Sequence, residues 1–167
     1  MRPLHRDGIQ YRRVAQGPIR GDAMSHGVAI TITLQTPTEY GSTLEALEAA
    51  GWEIRDTTGS SFIREDATDS SDWLVFQSVT PENVRGIVAT RDKLRQSAGV
   101  VLMYSGTSHG CNFLWIDRNT LVVSPSINRV ELIGGWVDAS WYLSRVCQPL
   151  LAGGCDVESV NLYEGLT

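Results

Sequence analysis

Val28-Ala29-Ile30-Thr31-Ile32-Thr33-Leu34 runs almost directly into Thr36-Pro37-Thr38-Glu39, and the reading of the fold turns on that junction. Val28, Ile30, Ile32 and Leu34 alternate with smaller residues, the period of a strand with one buried face. The next four residues have the form of a helix start. Thr36 is expected to cap, Pro37 to take the first helical position, and Glu39 to reach back. Tyr40, Leu44 and Leu47 then supply an inward stripe and Gly51 the stop.

The same grammar continues outward. Residues 52–56 and 61–65 are expected to form a hairpin around Thr57-Thr58-Gly59-Ser60, and residues 66–72 an exposed acidic loop. Residues 73–79 read as a strand. Thr80-Pro81-Glu82 repeats the capped helix start, and Val84, Ile87, Val88 and Leu94 give its stripe, which is expected to end at Gly99. Residues 100–105 are strongly apolar and read as a central strand. Residues 112–116 and 121–124 flank Asp117-Arg118-Asn119-Thr120, a turn composition. Residues 129–133 read as one more strand, broken by Gly134-Gly135. Asp138 can cap a third helix carrying Tyr142, Val146, Cys147, Leu150 and Leu151, which Pro149 should kink or end. Residues 157–163 read as a last strand.

The predicted order is β-α-β-β-β-α-β-β-β-β-α-β. It implies an α+β fold: a mixed, mainly antiparallel sheet with about three helices packed on it. An apolar strand runs twice into Thr-Pro and a helix, which suggests an internal duplication of a β-α-β-β unit. Of 167 residues, 42% are hydrophobic and 20% charged, ordinary values for a globular chain. Residues 24–167 are therefore expected to form a single domain. Residues 1–23 read as a flexible arginine-rich arm or an extension.

Charge is unevenly placed. Residues 1–23 hold five arginines against two aspartates, a charge of +3, which leaves −8 on the remainder of a chain whose net charge is −5. An acidic body is a poor nucleic-acid binder, because phosphates attract clustered Lys and Arg. It suits a cationic protein partner better. No apolar run reaches the roughly 18–20 residues of a membrane helix, so a cytoplasmic protein without membrane contact is expected. The three cysteines, Cys111, Cys147 and Cys155, fit free and mostly buried thiols in a reducing compartment.

The sequence contains no phosphate-binding Gly-x-x-x-x-Gly-Lys loop, no Gly-x-Gly-x-x-Gly turn, no His-Glu-x-x-His helix and no Cys-x-x-Cys pair. No cofactor or metal is expected. His109, Cys111, Cys147 and Cys155 lack the short paired spacing that zinc favours. One catalytic alternative stands in residues 105–111, where Ser108, His109 and Cys111 place a hydroxyl, an imidazole and a thiol together. Adjacent residues of an extended chain point to opposite faces, so the plainer reading is a polar turn leading to a buried cysteine. The five tryptophans are expected to serve first as core anchors; any left exposed beside acidic residues would mark a binding patch.

Asp138-Ala139-Ser140-Trp141-Tyr142-Leu143, following the strands at 112–116 and 121–124, resembles the C-terminal part of small immunity proteins that accompany bacterial contact-dependent and polymorphic toxins. The resemblance implies a compact, acidic, intracellular domain that blocks a cognate toxin by direct binding, and it carries no functional residue across. On this reading the chain is a non-catalytic binding protein, with Glu65, Asp66, Asp69 and Asp72 as contacts to a cationic toxin domain. The alternatives are a small hydrolase or transferase using the loop at Ser108, His109 and Cys111, and a ligand-binding or self-assembling structural domain.

Overall fold

A computed structural model describes residues 26–55, 59–63, 73–76 and 79–166. The elements run β1 (His26–Leu34), α1 (Tyr40–Ala49), β2 (Trp52–Ile54), β3 (Ser60–Ile63), β4 (Trp73–Phe76), α2 (Pro81–Lys93), β5 (Ala98–Tyr104), β6 (Gly110–Asp117) and β7 (Thr120–Ile127). They close with α3 (Ala139–Tyr142), a π-helical turn Leu143–Cys147, α4 (Gln148–Ala152) and β8 (Val157–Leu166). The strands form one antiparallel sheet in the order β4-β3-β5-β6-β7-β1-β8, with β2 also paired to β5. The fold is α+β, with the helices packed on one face of the sheet.

Alternation decides which face is buried. Val28, Ile30, Ile32 and Leu34 of β1 share one core with Cys111, Phe113 and Trp115 of β6 and with Tyr40, Leu44 and Leu47 of α1. In β5, Val100 and Leu102 join that core, while Val101 and Met103 on the opposite face are buried as well. Burial on both faces is why this strand reads as an unbroken apolar run, and it lies in the interior of the sheet. The β6–β7 reversal falls at the predicted turn, where the Asp117 carboxylate accepts from the Asn119 N–H at 2.8 Å.

Four local expectations are corrected. The segments around 52–54 and 60–63 do not pair with each other: both run antiparallel to β5, Trp52 opposite Tyr104 and Phe62 opposite Val100. The hairpin partner of β3 is instead β4, with Ser60 opposite Phe76. Helix α1 begins at Tyr40, and Thr36 does not cap it. The Tyr40 N–H donates to the Asp92 carboxylate, brought from the end of α2, at 3.3 Å. That carboxylate is buried and gripped by Arg118 through two bonds of 2.7 and 3.1 Å, so one side chain serves a helix terminus and an ion pair. The two Thr-Pro steps are consequently not equivalent, because Thr80 does cap α2, accepting from the Asn83 N–H.

Helix α2 ends at Lys93 rather than at Gly99, and Leu94 faces solvent. The last turn closes through Arg95, a non-glycine residue at φ 57°, with Gln96 N–H donating to the Arg91 carbonyl at 2.9 Å. A β-carbon in the left-handed region costs about 1 kcal/mol. Exchanging exposed Arg95 for glycine is therefore expected to raise the melting temperature by about 2–4 °C, read by calorimetry. Finally, residues 129–133 form no strand; they belong to a turn joined by a single bridge, Glu131 to Val137.

Candidate functional site

The chain from Asn128 to Arg145 carries the features with most chemical content. Its first half is a tight turn over residues 131–137. Leu132 N–H donates to the Trp136 carbonyl at 2.7 Å and Gly135 N–H to the Leu132 carbonyl at 3.2 Å. Gly134 and Gly135 sit at φ 94° and 83°, which permits so abrupt a reversal at Ile133-Gly134-Gly135. The base of the turn is held from several sides. Asp138 N–H donates to the Val130 carbonyl at 2.9 Å, Val130 N–H to the Tyr142 hydroxyl at 2.8 Å, and Val137 N–H to the Glu164 carboxylate of β8 at 3.0 Å. An Arg129–Glu131 ion pair flanks it.

What this bonded frame presents is apolar. Leu132 is 56% exposed, Ile133 104% and Trp136 53%. Polar loops are the ordinary solution at a surface; a fixed turn holding three large hydrophobes in water is not.

The second half is the helical segment. Asp138 caps α3 as expected, accepting from the Trp141 N–H at 3.2 Å. The helix then widens into the π turn just before Pro149, which has no N–H to offer the carbonyl of residue 145. That carbonyl is satisfied from the sheet: the indole N–H of Trp52 donates to Arg145 O at 2.7 Å. Pro149 thus does not end the helix.

The π turn projects Arg145 over two rings, with its guanidinium carbon 4.5 Å from the centre of Trp141 and 5.2 Å from that of Tyr104. Trp52 meets Tyr104 edge-on at 5.3 Å, and Trp141 meets both Tyr104 and His109 at 5.5 Å. His109 Nδ1 bonds the Asn128 carbonyl, which assigns the proton to Nδ1. Asn128 in turn donates to the Ser108 carbonyl at 3.1 Å.

Of the sequence-predicted site residues, Glu65, Asp66, Asp69 and Asp72 lie outside the described residues, in the stretch that joins β3 to β4. Ser108, His109 and Cys111 stay near one another along the chain but do not form a reactive pair. The His109 ring is engaged by Asn128 and Trp141, while Cys111 lies at 0% exposure in the core. Burial alone pushes the Cys111 thiol well above its ordinary range, the opposite of what a nucleophile needs. Cys147 and Cys155 are also buried, free and raised for the same reason. Among the described residues no group of three His, Cys, Asp or Glu side chains converges on a metal position. No helix among them is long and apolar enough to cross a membrane.

The chain matches no protein-family model, no curated protein and no solved structure. Its function must be argued from this geometry.

Sequence reasoning missed the exposed turn and Arg145. The one signal for the turn is Gly134-Gly135 beside Trp136. For Arg145 it is the placement of Pro149 four residues on, which leaves a helical carbonyl to be satisfied by another element.

Proposed function

We propose that this chain is a binding protein that engages a protein partner through the turn at 131–137, and that the partner is a bacterial toxin domain neutralised by direct contact. The observation that carries the binding reading is the combination of full exposure at Ile133 with a turn base held by backbone and side-chain hydrogen bonds. A turn ordered before binding loses little further freedom on contact, so its apolar side chains yield most of their burial energy as affinity. Trp136 belongs to the residue types that dominate interface energetics, and Leu132 and Ile133 beside it would fill an apolar pocket. The toxin assignment rests on the likeness of residues 138–143 to immunity proteins and on the acidic balance of the chain, which favours a cationic partner.

The test compares the wild-type chain with a Leu132→Ser/Ile133→Ser/Trp136→Ser variant, using as partner the protein encoded beside its gene. Wild type is expected to form a complex and to restore growth to cells expressing that protein. The variant is expected to keep its fold, because the three side chains are more than half exposed. It is expected to lose affinity by at least about 30-fold, the equivalent of one interface hot spot of about 2 kcal/mol. A variant that binds as tightly as wild type would remove the turn from the interface. A complex that forms without restoring growth would remove the toxin assignment and leave the binding role standing.

A further inference from the structure

The two edges of the sheet are unequal. One is β4, four residues long, and a short edge strand is an ordinary protection against stray pairing. The other is β8, ten residues long. It lacks the usual guards over most of its length. Val157–Leu166 contains no proline, lysine or arginine, and its register against β1 runs without a bulge from Ser159 to Leu166. Among the described residues no strand lies beyond it, so the N–H and C=O groups of alternate residues point outward.

The side chains of β8 carry the apolar layer past the point where the helices cover it. Val160 and Leu162 stand opposite Ile32 and Ile30 of β1. The two isoleucines are buried, but Val160 is 36% exposed and Leu162 40%. Glu158 and Glu164 bracket them at alternate positions, and no basic residue of the strand offsets these charges. The bond from the Val137 N–H to the Glu164 carboxylate ties the exposed turn at 131–137 to the end of the same strand.

The acidic bracket decides what can pair there. A second copy of β8 is disfavoured in each register that uses most of the strand. Antiparallel pairing centred on Asn161 sets Glu158 opposite Glu164 at both ends. Centred on Val160 it sets Asp156 opposite Glu164, and centred on Leu162 it makes Glu158 and Glu164 diagonal neighbours. Like charges across a strand pair are destabilising, and the whole chain carries −5. Opposite charges at those positions are stabilising, and apolar side chains between them would cover Val160 and Leu162.

We propose that the outer edge of β8 receives an extended segment of another protein, added antiparallel as a further strand. Its side chains on the helix face run basic, apolar, apolar, basic at alternate positions, against Glu164, Leu162, Val160 and Glu158. In this mode of recognition the main-chain hydrogen bonds supply affinity and the alternate side chains supply selectivity. The inference goes beyond the turn at 131–137: it needs neither the three side chains of that turn nor a toxin as the partner.

The experiment follows amide hydrogen exchange of the full chain by NMR, with the blocked peptide Lys-Thr-Val-Thr-Val-Thr-Lys as probe. A peptide with glutamate at both ends and a scrambled peptide of the original composition form the other arms. Alone, the chain is expected to exchange alternate amides of β8 freely. The lysine-ended peptide is expected to protect them, and the other two are not. Glu158→Lys/Leu162→Lys alters two exposed side chains and is expected to weaken binding by about tenfold, with the protection of β5 and β6 unchanged as the sign of an intact fold. Protection that does not rise, or rises as much with either control peptide, would overturn the proposal, as would a variant that binds as tightly as wild type. Amides of β8 already protected without peptide would show an occupied edge, covered by a second copy if the chain sediments as a dimer and by residues 1–25 if it sediments as a monomer, and would overturn it equally.

Discussion

Trp52→Phe is expected to lower stability by about 3 kcal/mol, a fall in melting temperature of about 10 °C, although it exchanges one aromatic residue for another. Trp52 is 1% exposed and touches Tyr104, Phe113 and Trp141 edge-on, so the smaller ring leaves a gap in a cluster that cannot fully close. The larger part of the loss lies in the indole N–H. Without it the Arg145 carbonyl has neither the i+4 donor, because residue 149 is proline, nor a donor from the sheet. Pro149→Ala restores an N–H at that position. In the Trp52→Phe background it is therefore expected to recover about 1 kcal/mol, while doing little in the wild type. Chemical denaturation of the four proteins gives the coupling. Additivity within about 0.3 kcal/mol would show that the two residues do not serve the same carbonyl.

That pairing also marks where local sequence reading stops. The alternating run at 28–34, the Thr80 cap, the Asp138 cap and the Asp117–Thr120 reversal are each decided by residues within a few positions of one another, and each is legible. The partner of β2 is not. Thr57-Thr58-Gly59-Ser60 signals a change of course, but nothing local says whether the next segment turns back or continues along β5. The Asp92 carboxylate that meets the start of α1 comes from 52 residues away, so Thr36-Pro37 could supply a plausible cap that the folded chain does not use.

The candidate site was hidden for a related reason. Val130, Leu132 and Ile133 are apolar, and apolar residues in short alternation imply burial when no neighbours are known. Val130 does pack against the core, but the exposure of Leu132 and Ile133 becomes visible only once Tyr142 and Glu164 are seen holding the base of the turn. Arg145 looks like any other arginine until the Trp141 and Tyr104 rings are seen against its guanidinium.

Stability is expected to fall steeply above about pH 9, and the sign of that dependence separates the binding reading from the thiol-nucleophile alternative. Cys111, Cys147, Cys155, Tyr40 and Tyr142 are all raised, each chiefly by burial, with Tyr142 pushed up to about 12. When the folded value lies above the unfolded one, the native chain holds protons that the unfolded chain releases. The stabilisation is whole below the unfolded value and is lost as pH rises towards the folded one. For the cysteines the loss begins near pH 9, and for the tyrosines about one unit higher. Cys111 alone contributes a slope of about 1.4 kcal/mol per pH unit in that window. Urea denaturation from pH 7 to 11 measures the slope, and Cys111→Ala is expected to flatten it while starting from a lower stability. An activated Cys111 thiolate would have its folded value depressed, and stability would then rise with pH between neutrality and pH 9. Such a rise, or rapid alkylation of the native Cys111 thiol at neutral pH, would restore the enzyme alternative built on Ser108, His109 and Cys111.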